Sequence, residues 1–166
     1  MSDRIDYLIQ SLQEKETLLE KLVLLLDEER DYIVDLDTAG MEVKRESKLQ
    51  LIAQLEQRKE ICKRALDDVA CELKVSSPVS LSAVLNAAPP ARREALLKSQ
   101  RRLFELTDLL NRSNRFNRDL LYGSLSNVNR SLEFLNKRLG RGVSTYSNAG
   151  SVVAGTPGGR LVRGEI

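Results

Sequence analysis

Between Leu121 and Leu139 the apolar residues Leu121, Leu125, Val128, Leu132, Leu135 and Leu139 recur at steps of four, three, four, three and four. That spacing places all six on one stripe of an α-helix. Near the start of the chain, Ile5, Leu12, Leu19, Leu26 and Ile33 recur every seven residues, with Leu8, Leu22 and Leu36 at the companion position. Lys15 and Glu29 interrupt that second row. A seven-residue repeat of this length predicts helices packed with a left-handed supercoil. Asp3 is the expected N-cap of the first helix, placed at about residues 4–36. Gly is costly inside a helix and Asp or Thr is favoured at its start, so the turn is expected at Leu36 to Gly40.

A second helix is expected at about residues 41–73, with Ile52, Leu55, Cys62, Leu66, Val69 and Leu73 facing inward. The short turn makes the first two helices an antiparallel hairpin. Val75-Ser76-Ser77-Pro78 and Ala87-Ala88-Pro89-Pro90 bracket a short helix capped by Ser80, and Pro90 suits the first position of a third long helix, to about residue 139. Leu96, Leu103, Leu106 and Leu110 form the first seam of that helix. The seam then turns polar over Asn111–Arg118, where Phe116 is the only large apolar residue. This stretch reads either as a register-fixing polar layer of Ser113 and Asn117, or as the place where the helix changes partner. At 1.5 Å per residue the first two helices are roughly 50 Å long and the third about 75 Å. An antiparallel third helix would then carry the leucine stripe beyond the hairpin, so its cover is expected from another protein.

Composition supports an all-α fold. The chain is 42% hydrophobic yet only 4% aromatic, without Trp, and rich in Leu against Glu, Lys and Arg. The expected architecture is an elongated antiparallel hairpin plus a longer third helix, together a three-helix coiled-coil-like bundle, with a short helix in the 74–90 connection. Residues 140–166 hold seven of the nine Gly and show no apolar periodicity, so a flexible, disordered tail is expected beyond a helical domain of residues 1–139. Residues 1–90 carry 12 Lys or Arg against 18 Asp or Glu, a net of −6, whereas residues 91–166 carry 14 against 6, a net of +8. The two halves should attract each other.

Several kinds of chemistry find no support. With no His, no strand-loop-helix glycine motif and no second Cys pair, an enzyme, a nucleotide site and a metal centre are not expected, and no cofactor is implied. Cys62 and Cys71 are too far apart on one helix for a mutual disulfide and read as buried or half-buried small hydrophobes in a reducing compartment. No apolar run approaches the roughly 20 residues that cross a bilayer, and the N-terminus lacks a secretory signal, so a cytoplasmic location is expected. Arg92, Arg93, Arg101, Arg102, Arg112, Arg115 and Arg118 give the third helix a basic face. The acidic first half can occupy them and stacking aromatics are missing, so nucleic-acid binding is not expected.

The order of these segments resembles the FlgN family of flagellar type III export chaperones. The resemblance rests on the Leu-rich first helix and on Lys48 followed by Leu49, Leu51, Ile52 and Leu55. It rests further on Asn111 through Leu120-Leu121-Tyr122-Gly123-Ser124-Leu125 to Leu135. Ser144-Thr145-Tyr146-Ser147-Asn148-Ala149-Gly150 is similar to the family's Tyr-Gly-Ala-(Asp/Asn)-Gly segment, with Ser147-Asn148 in place of the usual Gly-Ala, and Gly158-Gly159-Arg160 is a weaker match. The resemblance implies a cytosolic chaperone of the hook-filament junction proteins FlgK and FlgL that docks on the export-gate protein FlhA. It implies client binding by Leu121, Leu125, Val128, Leu132, Leu135 and Leu139, and gate docking by Tyr146. The alternatives are a structural coiled coil that homodimerises through the same stripe and a chaperone of the same class for another secreted client.

Overall fold

The computed structural model describes residues 2–75 and 79–138. They form four helices and no strand: α1 (Ser2–Val34), α2 (Thr38–Glu72), α3 (Leu81–Ala87) and α4 (Pro90–Arg138). α4, at 49 residues, is the longest, against 33 and 35 for α1 and α2. The chain divides into two compact units, Met1–Leu120 and Leu121–Ile166. The expected domain limit at 139/140 and the tail lie outside the described residues.

In the first unit the heptad row of α1 turns inward as its spacing requires. Ile5, Leu12, Leu19, Leu26 and Ile33 are all buried, as are Leu8 and Leu22 of the companion row. Each such side chain contributes roughly 1.5–3 kcal/mol on burial. α1 and α2 are antiparallel, since their ion pairs climb one helix while descending the other: Lys44 with Glu28, Arg58 with Glu14, and Arg4 with Glu72 at 3.6 Å. One core gathers Ile5, Leu8 and Leu12 of α1, Cys62, Ala65 and Val69 of α2, Val84 of α3 and Leu96 of α4.

The hairpin turn departs from the expectation. α1 ends at Val34, and Leu36 adopts a left-handed backbone with φ 54°, so it leaves the heptad row and stands exposed. Asp37 caps α2 by accepting the Gly40 N–H at 3.0 Å. Gly40 therefore lies inside the first turn of α2, where it costs helix propensity. It is retained by a close approach: a Cβ there would lie 2.1 Å from Cδ1 of the Tyr32 ring. Asp3 sits inside the first turn of α1 and is not its cap, although its charge suits that end of the helix dipole.

The inner face of α2 also differs in part. Cys62 and Val69 are buried and Leu66 and Leu73 partly so, but Ile52 is exposed, and Ala65 and Ala70 take core places. Small side chains let helices approach closely, which a search for Leu and Ile does not register. Cys62 is near the Ser11 carbonyl, its thiol donating at 3.3 Å, and burial pushes that thiol above its ordinary pKa. Cys71, expected buried or half-buried, is exposed.

The start of α4 matches expectation. Ser80 caps α3 by accepting the Ala83 N–H at 3.1 Å, and Pro90 is the first residue of α4. Arg93 donates to the carbonyls of Asn86 and Ala88, tying down the end of α3. Within the first unit α4 runs parallel to α1, because Arg92 pairs with Asp6 and Arg102 with Glu20, each at 2.7 Å, and Asn117 reaches the Leu26 carbonyl at the same distance. The charge asymmetry is thus used in contacts between α1 and α4. The carboxylate of Glu20, hydrogen-bonded to Arg102, raises the guanidinium pKa. These pairs are about half exposed, so they orient the helices more than they stabilise them.

Candidate functional site

Along the first part of α4, Leu96, Ser99, Leu103, Leu106, Leu110, Ser113 and Asn117 alternate steps of three and four, and each is buried or half-buried. The polar end of this seam is a satisfied layer. Asn117 donates to the Leu26 carbonyl at 2.7 Å and to Glu29 at 3.0 Å, and its carbonyl accepts from Arg30 Nε at 3.3 Å. Glu29 also pairs with Lys48 of α2, and the Arg30 guanidinium lies 4.8 Å from the Phe116 ring centre. Buried side-chain amides are tolerated when all their groups are paired, as here. Ser113 and Asn117 are therefore a buried polar layer in the packed part of the helix, while Asn111, Arg112, Asn114, Arg115, Phe116 and Arg118 are exposed.

Continued at the same alternation, the seam passes through Leu120 and Ser124, both half-buried, then Asn127 and Ser131. The leucine stripe does not follow it. Leu121, Leu125, Val128, Leu132 and Leu135 each fall one residue later, which turns the apolar face by about 100° around the helix axis. All five side chains are exposed, between 39% and 55%. They line one face of α4 as the spacing requires. Leu139 and Tyr146 fall outside the described residues.

The surroundings of the stripe are unusual for a helix seam, whose flanking positions are often Glu or Lys. Here Ser124 and Ser131 border one side and Asn129 and Asn136 the other. The hydroxyl of Ser131 donates to the Asn127 carbonyl at 2.9 Å. Arg138 is the one charged residue at a flanking position among residues 121–138, and its guanidinium lies 5.2 Å from the Phe134 ring centre. Tyr122 and Phe134 add exposed aromatic surface outside the stripe. Around Gly123 the space is open. The sequence spacing located the stripe; the change of phase needed the burial pattern of the preceding seam as a reference.

In the first unit a cavity of about 270 Å³ lies among Leu22, Leu26, Ile52, Leu55 and Leu110, with Lys48, Glu56, Asn111 and Asn114 around it. Its polar groups include no nucleophile paired with a base. Among the described residues no cluster of three or more His, Cys, Asp or Glu is arranged to hold a metal, and no helix is long and apolar enough to cross a membrane.

The described residues thus define an all-helical protein whose longest helix presents an open, leucine-lined face. The FlgN protein family model matches residues 1–154, and the chain belongs to that family, which gives it the role of a chaperone in flagellar export. No curated protein and no solved structure matches the chain.

Proposed function

We propose that this chaperone binds the hook-filament junction proteins FlgK and FlgL in the cytoplasm through Leu121, Leu125, Val128, Leu132, Leu135 and Leu139. It thereby prevents their premature association and delivers them to the export gate, where Tyr146 contacts FlhA. In this reading residues 1–139 are the chaperone domain and residues 140–166 a docking tail. The observation that carries it is the phase of the stripe: five aliphatic side chains stand exposed on a face that the packed seam of α4 does not share. An amphipathic helix of the client laid on that face would bury two apolar stripes at once, at ~25 cal/mol per Å² before the cost of ordering. No bond is made or broken in this work, so the reading is non-enzymatic.

Two charges in the middle of the stripe test it. Val128→Asp with Leu132→Asp should abolish binding of FlgK and FlgL in calorimetry while circular dichroism stays close to the parent spectrum. Retained binding would overturn the assignment. The second reading, a homodimer through the same face, is favoured by the same exposure. Light scattering separates the two, because a dimer unchanged by a FlgK-derived helix peptide supports the homodimer alone.

A further inference from the structure

Resting on that reading of the stripe, we infer that residues 123–131 of α4 open and re-form as helix in the free chain, and that the client holds them helical when it binds. These nine residues include Gly123, three Ser at 124, 126 and 131, and two Asn at 127 and 129. All six are weak helix formers. Gly exposes its backbone to water, and Ser and Asn side chains compete for the hydrogen bonds of the helix itself. The Ser131 hydroxyl does so here, donating to the Asn127 carbonyl at 2.9 Å. Residues 101–110 of the same helix read Arg-Arg-Leu-Phe-Glu-Leu-Thr-Asp-Leu-Leu, mostly strong helix formers.

Weak propensity is ordinarily overridden by packing of one face of the helix. Residues 123–131 lack that support, because all of them except the half-buried Ser124 are exposed, Leu125 and Val128 included. Nor does a close approach require the glycine, since the space around Gly123 is open. On the far side, Leu132, Leu135 and the Glu133 and Lys137 pair at i, i+4 spacing favour helix again. The weak stretch thus occupies the middle of the stripe, between Leu121 and Leu132. Steps of three and four line up as one face only while that stretch is helical. Up to Asn117 the seam of α4 is packed, so the helix regrows from a standing end without a new nucleus. A client laid on the stripe covers Leu125 and Val128 and supplies the packing that the free segment lacks. Because it binds the helical form, its apparent affinity is the intrinsic affinity multiplied by the helical fraction.

Hydrogen exchange on the full chain, alone and with purified FlgK, gives the first test. In the free chain the amides of residues 124–131 should exchange about tenfold faster than those of 103–117, and FlgK should slow them by about tenfold. The second test uses positions on the side of the helix away from the stripe. Gly123→Ala, Ser126→Ala and Asn127→Ala together should tighten FlgK binding about tenfold in calorimetry. Ser126→Gly with Asn127→Gly should weaken it about as much, with exchange at 103–117 unchanged in both variants. Equal protection of 124–131 and 103–117 in the free chain overturns the inference, because the segment is then a standing helix. Unchanged FlgK affinity in both variants overturns it too, because helix formation then does not enter binding. Either result leaves the assignment of the stripe in place. If FlgK fails to bind the parent, that assignment falls and the inference with it.

Discussion

Two stretches of α4 carry leucines at the same alternation of three and four, yet one is packed and the other open. From Leu96 to Asn117 the seam meets α1, α2 and α3, and Leu96 is fully buried against a core that includes Leu8 and Val69. From Leu121 to Leu135 comparable side chains stand about half exposed. Neither residue type nor helix propensity separates them. The difference lies in phase, set by the extra residue between Asn117 and the stripe, and in the kinds of group that border each face. An apolar period therefore predicts a face, whereas the phase of neighbouring seams indicates whether the same partner can cover both.

The largest expected effect comes from the packed stretch. Leu96→Ala should lower the unfolding free energy by about 2–5 kcal/mol in denaturant titration, because it opens a cavity in a close-packed site. Asn117→Ala should cost about 1–3 kcal/mol, since Glu29 and Arg30 lose a buried partner. In the open stretch, Gly123→Ala meets no steric obstacle and should favour the local helix by about 0.5–1 kcal/mol. Hydrogen exchange should read this as slower exchange around residue 123 with the first unit unchanged. Smallest of all, Leu125→Ala should shift the unfolding free energy by less than about 0.5 kcal/mol. A loss comparable to that of Leu96→Ala would mean that Leu125 is covered by the chain itself, and the contrast between the two stretches would be gone.

Much of the fold was legible because heptad spacing is a direct readout of helix packing. The row from Ile5 to Ile33, the Ser80 cap and the Pro90 start all follow from local chemistry. The misses have local causes too. Leu36 continues the count of sevens but lies past the end of its helix, where a left-handed turn residue was needed. Gly40 resembled a turn residue because its actual reason, the Tyr32 ring, is eight residues away. Ser11, Ser99 and Ala70 are buried through their small size, which a hydrophobic pattern undervalues. For the candidate site, sequence located the face and suggested a boundary near Asn111–Arg118. The burial data converted that boundary into a polar layer followed by a change of phase. What lies on the face is a property of a second molecule, and one chain's pattern holds only its complement.

The Asn117 layer has a kinetic corollary. If α4 slid by one heptad along the hairpin, Asn117 would move to the level of Leu110, beside a cavity lined by Leu22, Leu26, Ile52 and Leu55 with Lys48 and Glu56 at its edge. Its amide would give up the Leu26 carbonyl, Glu29 and Arg30 together, which disfavours the slipped state. The helix has a ratchet stop at this point. A seam with one preferred setting should reach its native register without populating packed alternatives, so refolding of the first unit should follow a single exponential phase in stopped-flow measurements.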